Sequence, residues 1–531
     1  MYQDGKIYIG KAGDERVSME LAMCNRHGLI AGASGTGKTI TMKVMAEAFS
    51  DAGVPVFLCD VKGDVSGLAM PGTASGSMEE RIDRFGIRDS FRYKAYPVCF
   101  WDIYQEKGHP LRTTVSDMGP ELLARILALT PAQEGVLNIL FRIADDKGLE
   151  LIDMKDLRAV LQFVGEHRAD FAVQYGSISS QSLGGIQRAL LPLENQGGEL
   201  FFGEPALDIL DWIRRDSDGK GIINILHSVK LAANPVLYAS FLLWMMAELF
   251  ERLPEAGDLE KPKLVFFFDE AHMLFSGAPR VLVGKIEQMV KLIRSKGVGI
   301  YFVTQSPGDI PDSVLAQLSN RVQHALRAYT PGEQKSVRAA AASFRENPAF
   351  KTADVIMELG VGEALVSFLD EKGIPGIVQR TAIICPQSFM GPAEESVRTA
   401  ALAGDGMGKY DEYVDNESAY EKLQDQAEIE EEKARLEEER ARLEKERAQF
   451  EKQKAEEEEA ARKQKEKELE AARRKQEKEL EALQRKLEKQ QEAEQKKKER
   501  AAQRRRDQIE KALISTGTQV LKRGLFKTLF K

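Results

Sequence analysis

Eight residues, Gly32-Ala33-Ser34-Gly35-Thr36-Gly37-Lys38-Thr39, restrict this chain more than any other stretch, because they fit the phosphate-cradling pattern G-x-x-x-x-G-K-[ST]. The apolar run Leu29-Ile30-Ala31 leads in as a short strand. Met42, Val44, Met45, Ala48 and Phe49 follow at helical spacing, so the glycines sit between a strand and a helix. The chemistry requires that context. Glycines at 32, 35 and 37 let the backbone curl without Cβ clashes, so that successive N–H groups and the helix N-terminus point at a β-phosphate. Lys38 is then placed to reach the β- and γ-phosphates, and the Thr39 hydroxyl to hold Mg²⁺. The expected ligands are ATP and Mg²⁺.

The rest of the phosphate chemistry falls at the ends of apolar runs. Leu264-Val265-Phe266-Phe267-Phe268 ends in Asp269-Glu270, an arrangement in which Asp269 binds the water shell of Mg²⁺ and Glu270 polarises the attacking water. Val54 to Cys59 reads as a parallel strand covered on both faces, and its polar end, Asp60-Val61-Lys62-Gly63-Asp64, faces the ligand edge of an open α/β sheet. Asp60 there is either a ligand for water or Mg²⁺ or an acid that merely closes the turn. Val298 to Val303 ends in Thr304-Gln305-Ser306-Pro307, where the Gln305 amide can report a γ-phosphate from a strand expected between the other two phosphate motifs.

These runs imply an α/β core with a mostly parallel sheet, built from residues 1–116 and 216–385. Between them, 117–215 reads as an α-helical insertion, with Thr130-Pro131 starting one helix. Ser182-Leu183-Gly184-Gly185 reads as a turn opening the helix Ile186 to Leu193. Helical spacing also runs from Arg280 to Lys296, and Pro235 to Ala247 reads as a buried helix too short to span a membrane. Residues 386–416, with Pro386, Gly391-Pro392, Gly404, Gly406 and Gly408, read as a hinge-like linker.

Residues 417–516 are a charged helix or weak coiled coil: Ile429, Leu436, Leu443 and Phe450 repeat every seven residues, but the partner seam positions are charged. The tail, 517–531, mixes bulky apolar and basic side chains and fits an anionic surface or a partner protein. Charge divides along the same boundary. Residues 417–531 hold 32 Lys/Arg and 29 Asp/Glu, so the formal net charge of −8 arises from a body, 1–416, that carries −11. An acidic body does not advertise nucleic-acid binding, and a DNA contact would need a local basic face or the tail. Cys24, Cys59, Cys99 and Cys385 are far apart, which argues against a zinc site or disulfide framework and for a reducing cytoplasm. The N-terminus carries no apolar secretory segment.

Taken together, the loop at 32–39, Asp60 to Asp64, Phe266 to His272, Lys296-Gly297-Val298-Gly299 and Thr304 to Pro307 resemble the HerA-like branch of the HerA/FtsK ATPases, within a bacterial group that carries a similar charged C-terminal helix. The resemblance covers roughly residues 1–390. It implies a RecA-like core that assembles into a hexameric ring and moves double-stranded DNA by ATP hydrolysis. It further implies that Arg294, 24 residues beyond Glu270, is an arginine finger inserted into the neighbouring subunit's site, and that Gln305 is the sensor glutamine. Arg26 is a second nucleotide-contacting candidate by the same resemblance, with Arg321 behind it. HerA proteins also carry an N-terminal β-barrel that docks a nuclease partner. The 27 residues ahead of the loop's strand cannot form one, so no nuclease partnership is expected. Two other readings stay open: a motor acting on proteins, and a nucleotide-gated scaffold whose working part is the long helix.

Overall fold

In the computed structural model, residues 1–476 are described except Asp258 and 276–279. Residues 1–427 form one compact unit. Its strands are, in chain order, β1 (Tyr2–Gln3), β2 (Lys6–Ala12), β3 (Glu15–Glu20), β4 (Gly28–Ala31), β5 (Val56–Asp60), β6 (Val98–Asp102), β7 (His109–Pro110), β8 (Ile223–His227), β9 (Leu264–Phe268), β10 (Val298–Thr304), β11 (Asn320–Gln323), β12 (Glu363–Ser367) and β13 (Gln379–Ile383). They share one sheet in the order β1-β2-β13-β12-β11-β4-β10-β9-β5-β8-β6-β7, with β3 on β2. From β11 to β7 every pairing is parallel. From β11 back to β1 every pairing is antiparallel. The short pieces before residue 27 are therefore an edge extension of the main sheet.

The parallel strands read as unbroken apolar runs because both faces are covered. Side chains alternate between two cores, as the pleat requires. Leu29, Phe57, Phe266, Phe268 and Phe302 face one, and Ile30, Val56, Leu58, Val265, Phe267 and Tyr301 face the other. The second core is roofed by α1 (Lys38–Asp51), the helix that opens on the loop lysine. The first is roofed by the helices between β7 and β8, including α2 (Pro131–Lys147) and α3 (Ser180–Asn195), and by α4 (Pro235–Arg252). Phe241, Trp244, Met245 and Leu249 of α4 are at most 2% exposed, and burial of each such side chain is worth about 1.5–3 kcal/mol. The helices of 117–215 thus share a continuous core with the sheet.

Two expectations change. Ser182 to Gly185 is not a turn: α3 starts at Ser180, capped by the Ser179 hydroxyl, which accepts from the Ser182 N–H. A Cβ at Gly185 would fall 2.1 Å from Gln133 Nε2 of α2, so the end of that side chain would have to swing aside.

The segment 386–416 is not a free hinge either. Glu47, fully buried on α1, accepts from the Gln387 N–H, the Ser388 N–H and the Ser388 hydroxyl at 2.6–3.0 Å. Further on, Asp405 and Asp411 flank His109 of β7 at 3.0 and 2.6 Å. Burial works to lower the His109 pKa, and the two carboxylates overcome it and raise it. Glycines and prolines here shape a packed strap. Replacing Glu47 by alanine strands two buried N–H groups and a hydroxyl, and we expect a loss of about 3 kcal/mol, read as a lower midpoint in urea denaturation.

Beyond it, α5 (Ala419–Gln476) is one continuous helix. Its ion pairs, Arg442–Glu446, Lys454–Glu458 and Glu459–Lys463, are exposed and each worth a few tenths of a kcal/mol. The tail 517–531 and residues 477–516 lie outside the described residues.

Candidate functional site

Three adjacent strands, β4, β10 and β9, end side by side, and each delivers one part of the site. After β4 the chain enters the glycine loop. Gly32, Gly35 and Gly37 have φ of 154°, 75° and 112°, so each lies where side chains with a Cβ are strained. At Gly32 space is also closed: a Cβ would sit 2.5 Å from His324 Cβ. The loop is pinned by backbone bonds from Gly32 N–H to the Thr304 carbonyl and from Ala33 N–H to the Ala325 carbonyl. Thr36 is closed over by its hydroxyl bond to the Ala33 carbonyl, and its own carbonyl accepts from Gly362 N–H. Lys38 Nζ donates to the carbonyls of Gly32 at 2.7 Å and Ala33 at 3.1 Å. Burial, and then the nearby Lys62 charge, lower its pKa.

At the end of β9, Asp269 and Glu270 are buried. Asp269 Oδ1 accepts from the Glu270 N–H, while the buried Oδ2 has no hydrogen-bond partner. Burial raises the Asp269 carboxyl to about 6. Glu270 has φ +48°, rare outside glycine and a store of strain typical of working sites. Both of its oxygens have partners: Lys62 Nζ lies 2.6 Å from Oε1, while Gln305 Nε2 and His272 Nδ1 each lie 3.3 Å from Oε2. Burial pushes the Glu270 carboxyl up, but Lys62, Gln305 and His272 reverse that and leave it below its ordinary value. The Gln305 bond to Glu270 joins the expected sensor to the expected base.

Asp60 makes the turn contacts of its second reading. Its Oδ1 accepts from Gly63 N–H at 2.8 Å and its Oδ2 from Val65 N–H at 3.3 Å, so the carboxylate closes the turn after β5. Lys62, on that same turn, is the residue the sequence reading missed as a site residue. The signal was available only in the pairing of β5 with β9, which sets Cys59 beside Phe268 and so brings the two following turns together.

Arg26 and Arg294 are not at this chain's own glycine loop. Arg26 precedes β4 and Arg294 precedes β10, at the strands' N-terminal edge, whereas the loop follows their C-terminal edge. The seven residues of β10 set the two edges roughly 20 Å apart. Arg294 is exposed, in the short 3₁₀ turn after the helix Arg280–Ile293. His27 anchors that helix: its Nδ1 accepts from Ile300 N–H, which leaves Nε2–H to donate to the Val290 carbonyl at 2.8 Å. Burial, chiefly, lowers His27 to about 4, so the ring is neutral. Arg321 spends its guanidinium on the carbonyls of Leu315, Leu318 and Ser343.

A strand-loop-helix with three glycines at positive φ, an acidic pair two strands away and an amide on the strand between them define the fold class of P-loop nucleoside triphosphatases. The chain belongs to the HerA-like helicase C-terminal family, whose model matches residues 6–530. A relative, the DNA double-strand break repair helicase HerA of Sulfolobus acidocaldarius, is 21% identical over 400 residues, 74% of this chain and 71% of its own length. Among solved structures, the unbound bacterial conjugative coupling protein TrwBdeltaN70 is similar with a TM-score of 0.51 at 15% identity, over 74% of this chain and 92% of that one. TrwB in complex with the non-hydrolysable ATP analogue ADPNP gives 0.51 at 14% identity over the same shares. At these identities the likeness establishes the fold. Among the described residues no helix is long and apolar enough to cross a membrane.

Proposed function

We propose that this protein is a cytoplasmic, Mg²⁺-dependent ATP hydrolase that works as a ring, of six subunits by family resemblance, translocating or unwinding duplex DNA. One observation carries the hydrolytic part: Glu270 and Gln305 meet at 3.3 Å beside the Lys38 loop, which is the pairing of base and sensor that hydrolysis needs. TrwB, a fold neighbour, has been solved with ADP and Mg²⁺. The fit to Mg²⁺ is supported by the buried, unbonded Asp269 Oδ2 and by the Thr39 hydroxyl at the start of α1. Those two residues would hold the ion, Asp269 through water. Mg²⁺ held there would supply positive charge to offset that of the phosphates.

The chain's own residues do the rest. The N–H groups of 34–39 and the α1 N-terminus bind phosphate oxygens, and Lys38 leaves its loop carbonyls for the β- and γ-phosphates. Glu270 orients the attacking water and takes its proton, and Gln305 ties that carboxylate to the γ-phosphate. Arg294 of one subunit neutralises the transition state at the next. Its place at the strand edge remote from its own loop favours action across a junction. The acidic body favours a second reading, a motor of the same chemistry acting on proteins.

The deciding experiment is ATPase rate with and without duplex DNA, alongside mass by light scattering. We expect a mass about six times 59.2 kDa with nucleotide present. We also expect stimulation by duplex DNA that falls by about tenfold or more between roughly 50 and 200 mM salt. No response to any nucleic acid leaves the protein-motor reading, and full turnover by a monomer removes the ring.

A further inference from the structure

The Lys62 ammonium sits where the proposed chemistry has no assigned use for it. It follows β5 by two residues, and it is the nearest cation to both acids that end β9: 2.6 Å from Glu270 Oε1 and 4.0 Å from Asp269 Oδ2. The acids are almost closed off, with side chains 8% and 2% exposed, whereas the Lys62 side chain is 42% exposed on a flexible stem. An ammonium at 2.6 Å from Oε1 occupies one lone pair of that oxygen and stabilises the charged carboxylate, which makes Glu270 a weaker base. Losing this partner makes Glu270 the stronger base. The Lys62 charge also reaches the neighbourhood of Lys38, the loop lysine that meets the β- and γ-phosphates.

We propose that Lys62 is a γ-phosphate sensor that exchanges Glu270 for the terminal phosphate, so that the base is released only when a triphosphate is present. The exchange is electrostatically sensible. A γ-phosphate carries more negative charge than one carboxylate and offers several acceptor oxygens, and an ammonium is a compact point charge on a four-carbon stem that can swing between the two. A diphosphate has no terminal oxygen at that position and leaves Lys62 on Glu270. The turn that carries Lys62 is itself held still by the two bonds to Asp60, so the swing needs only side-chain rotation. The inference rests on the ATP-hydrolysing reading of the site.

The test is a double-mutant cycle on binding, with hydrolysis kept out of the readout. Affinities for fluorescent ADP and for a fluorescent non-hydrolysable ATP analogue are measured on the full chain and on Lys62→Ala, Glu270→Gln and the pair. If Lys62 is shared between carboxylate and phosphate, Glu270→Gln frees it and tightens the triphosphate analogue by about tenfold, the scale of one charge-assisted bond. That tightening vanishes when Lys62→Ala is also present. ADP affinity stays within about twofold throughout, and Lys62→Arg keeps the preference for triphosphate over diphosphate. Should Lys62→Ala melt early, Lys62→Gln repeats the cycle with the stem retained. Equal effects of Glu270→Gln with and without Lys62, or an unchanged triphosphate preference in Lys62→Ala, overturn the proposal while leaving the ATPase reading intact. Failure of the unsubstituted chain to bind either nucleotide overturns both.

Discussion

Glu270→Gln leaves nucleotide bound and lowers ATP turnover by about 10²- to 10⁴-fold, the usual worth of a positioned general base. The amide keeps the size of the side chain and can still meet Gln305, so the fold around the φ +48° residue is retained. What it loses is the capacity to take a proton. The measurement is phosphate release at saturating ATP with a parallel fluorescent-nucleotide titration. Turnover within about tenfold of the unsubstituted chain would remove Glu270 as the base and leave the β9 pair a structural one.

Arg294→Ala is expected to lower turnover by about 10³-fold or more, on the scale of other arginine fingers, with ATP binding intact. The reasoning is positional. The residue opens a short 3₁₀ turn at the far edge of the sheet from its own loop and is itself exposed, so on its own chain it lies far from the phosphates. Mixing restores the missing combination: Lys38→Ala subunits lack a working loop but lend Arg294, while Arg294→Ala subunits keep the loop. A mixture should recover part of the activity that neither variant has alone. Rings that form without such rescue would sink the assignment across subunits.

Particular residues show how far pattern reaches. The apolar run Leu264–Phe268 reads as a strand and is β9 residue for residue, because a strand covered on both faces leaves an unbroken apolar signature. Asp269, Glu270 and the loop at 32–39 are legible for the same kind of reason, since each follows its strand directly. The two-residue strand β7 and the interior strand β13 are not legible: β7 is too short to show a period, and β13 opens with the polar residues Gln379, Arg380 and Thr381. The glycines and prolines of 386–416 mislead, because the partner that orders them is Glu47, about 340 residues earlier on α1.

Local order alone therefore settles that this chain makes a phosphate loop, a mostly parallel sheet and a strand-terminal acidic pair, since those depend on dihedral freedom and on side-chain period over a few neighbouring residues. Which side chains then meet is decided by strand order. Placing β10 between β4 and β9 joins Gln305 to Glu270, and placing β5 beside β9 brings in Lys62. Contacts between residues more than 200 positions apart, such as Lys62 with Glu270, leave no periodic trace along the chain, because the energy that selects them comes from the whole packed core.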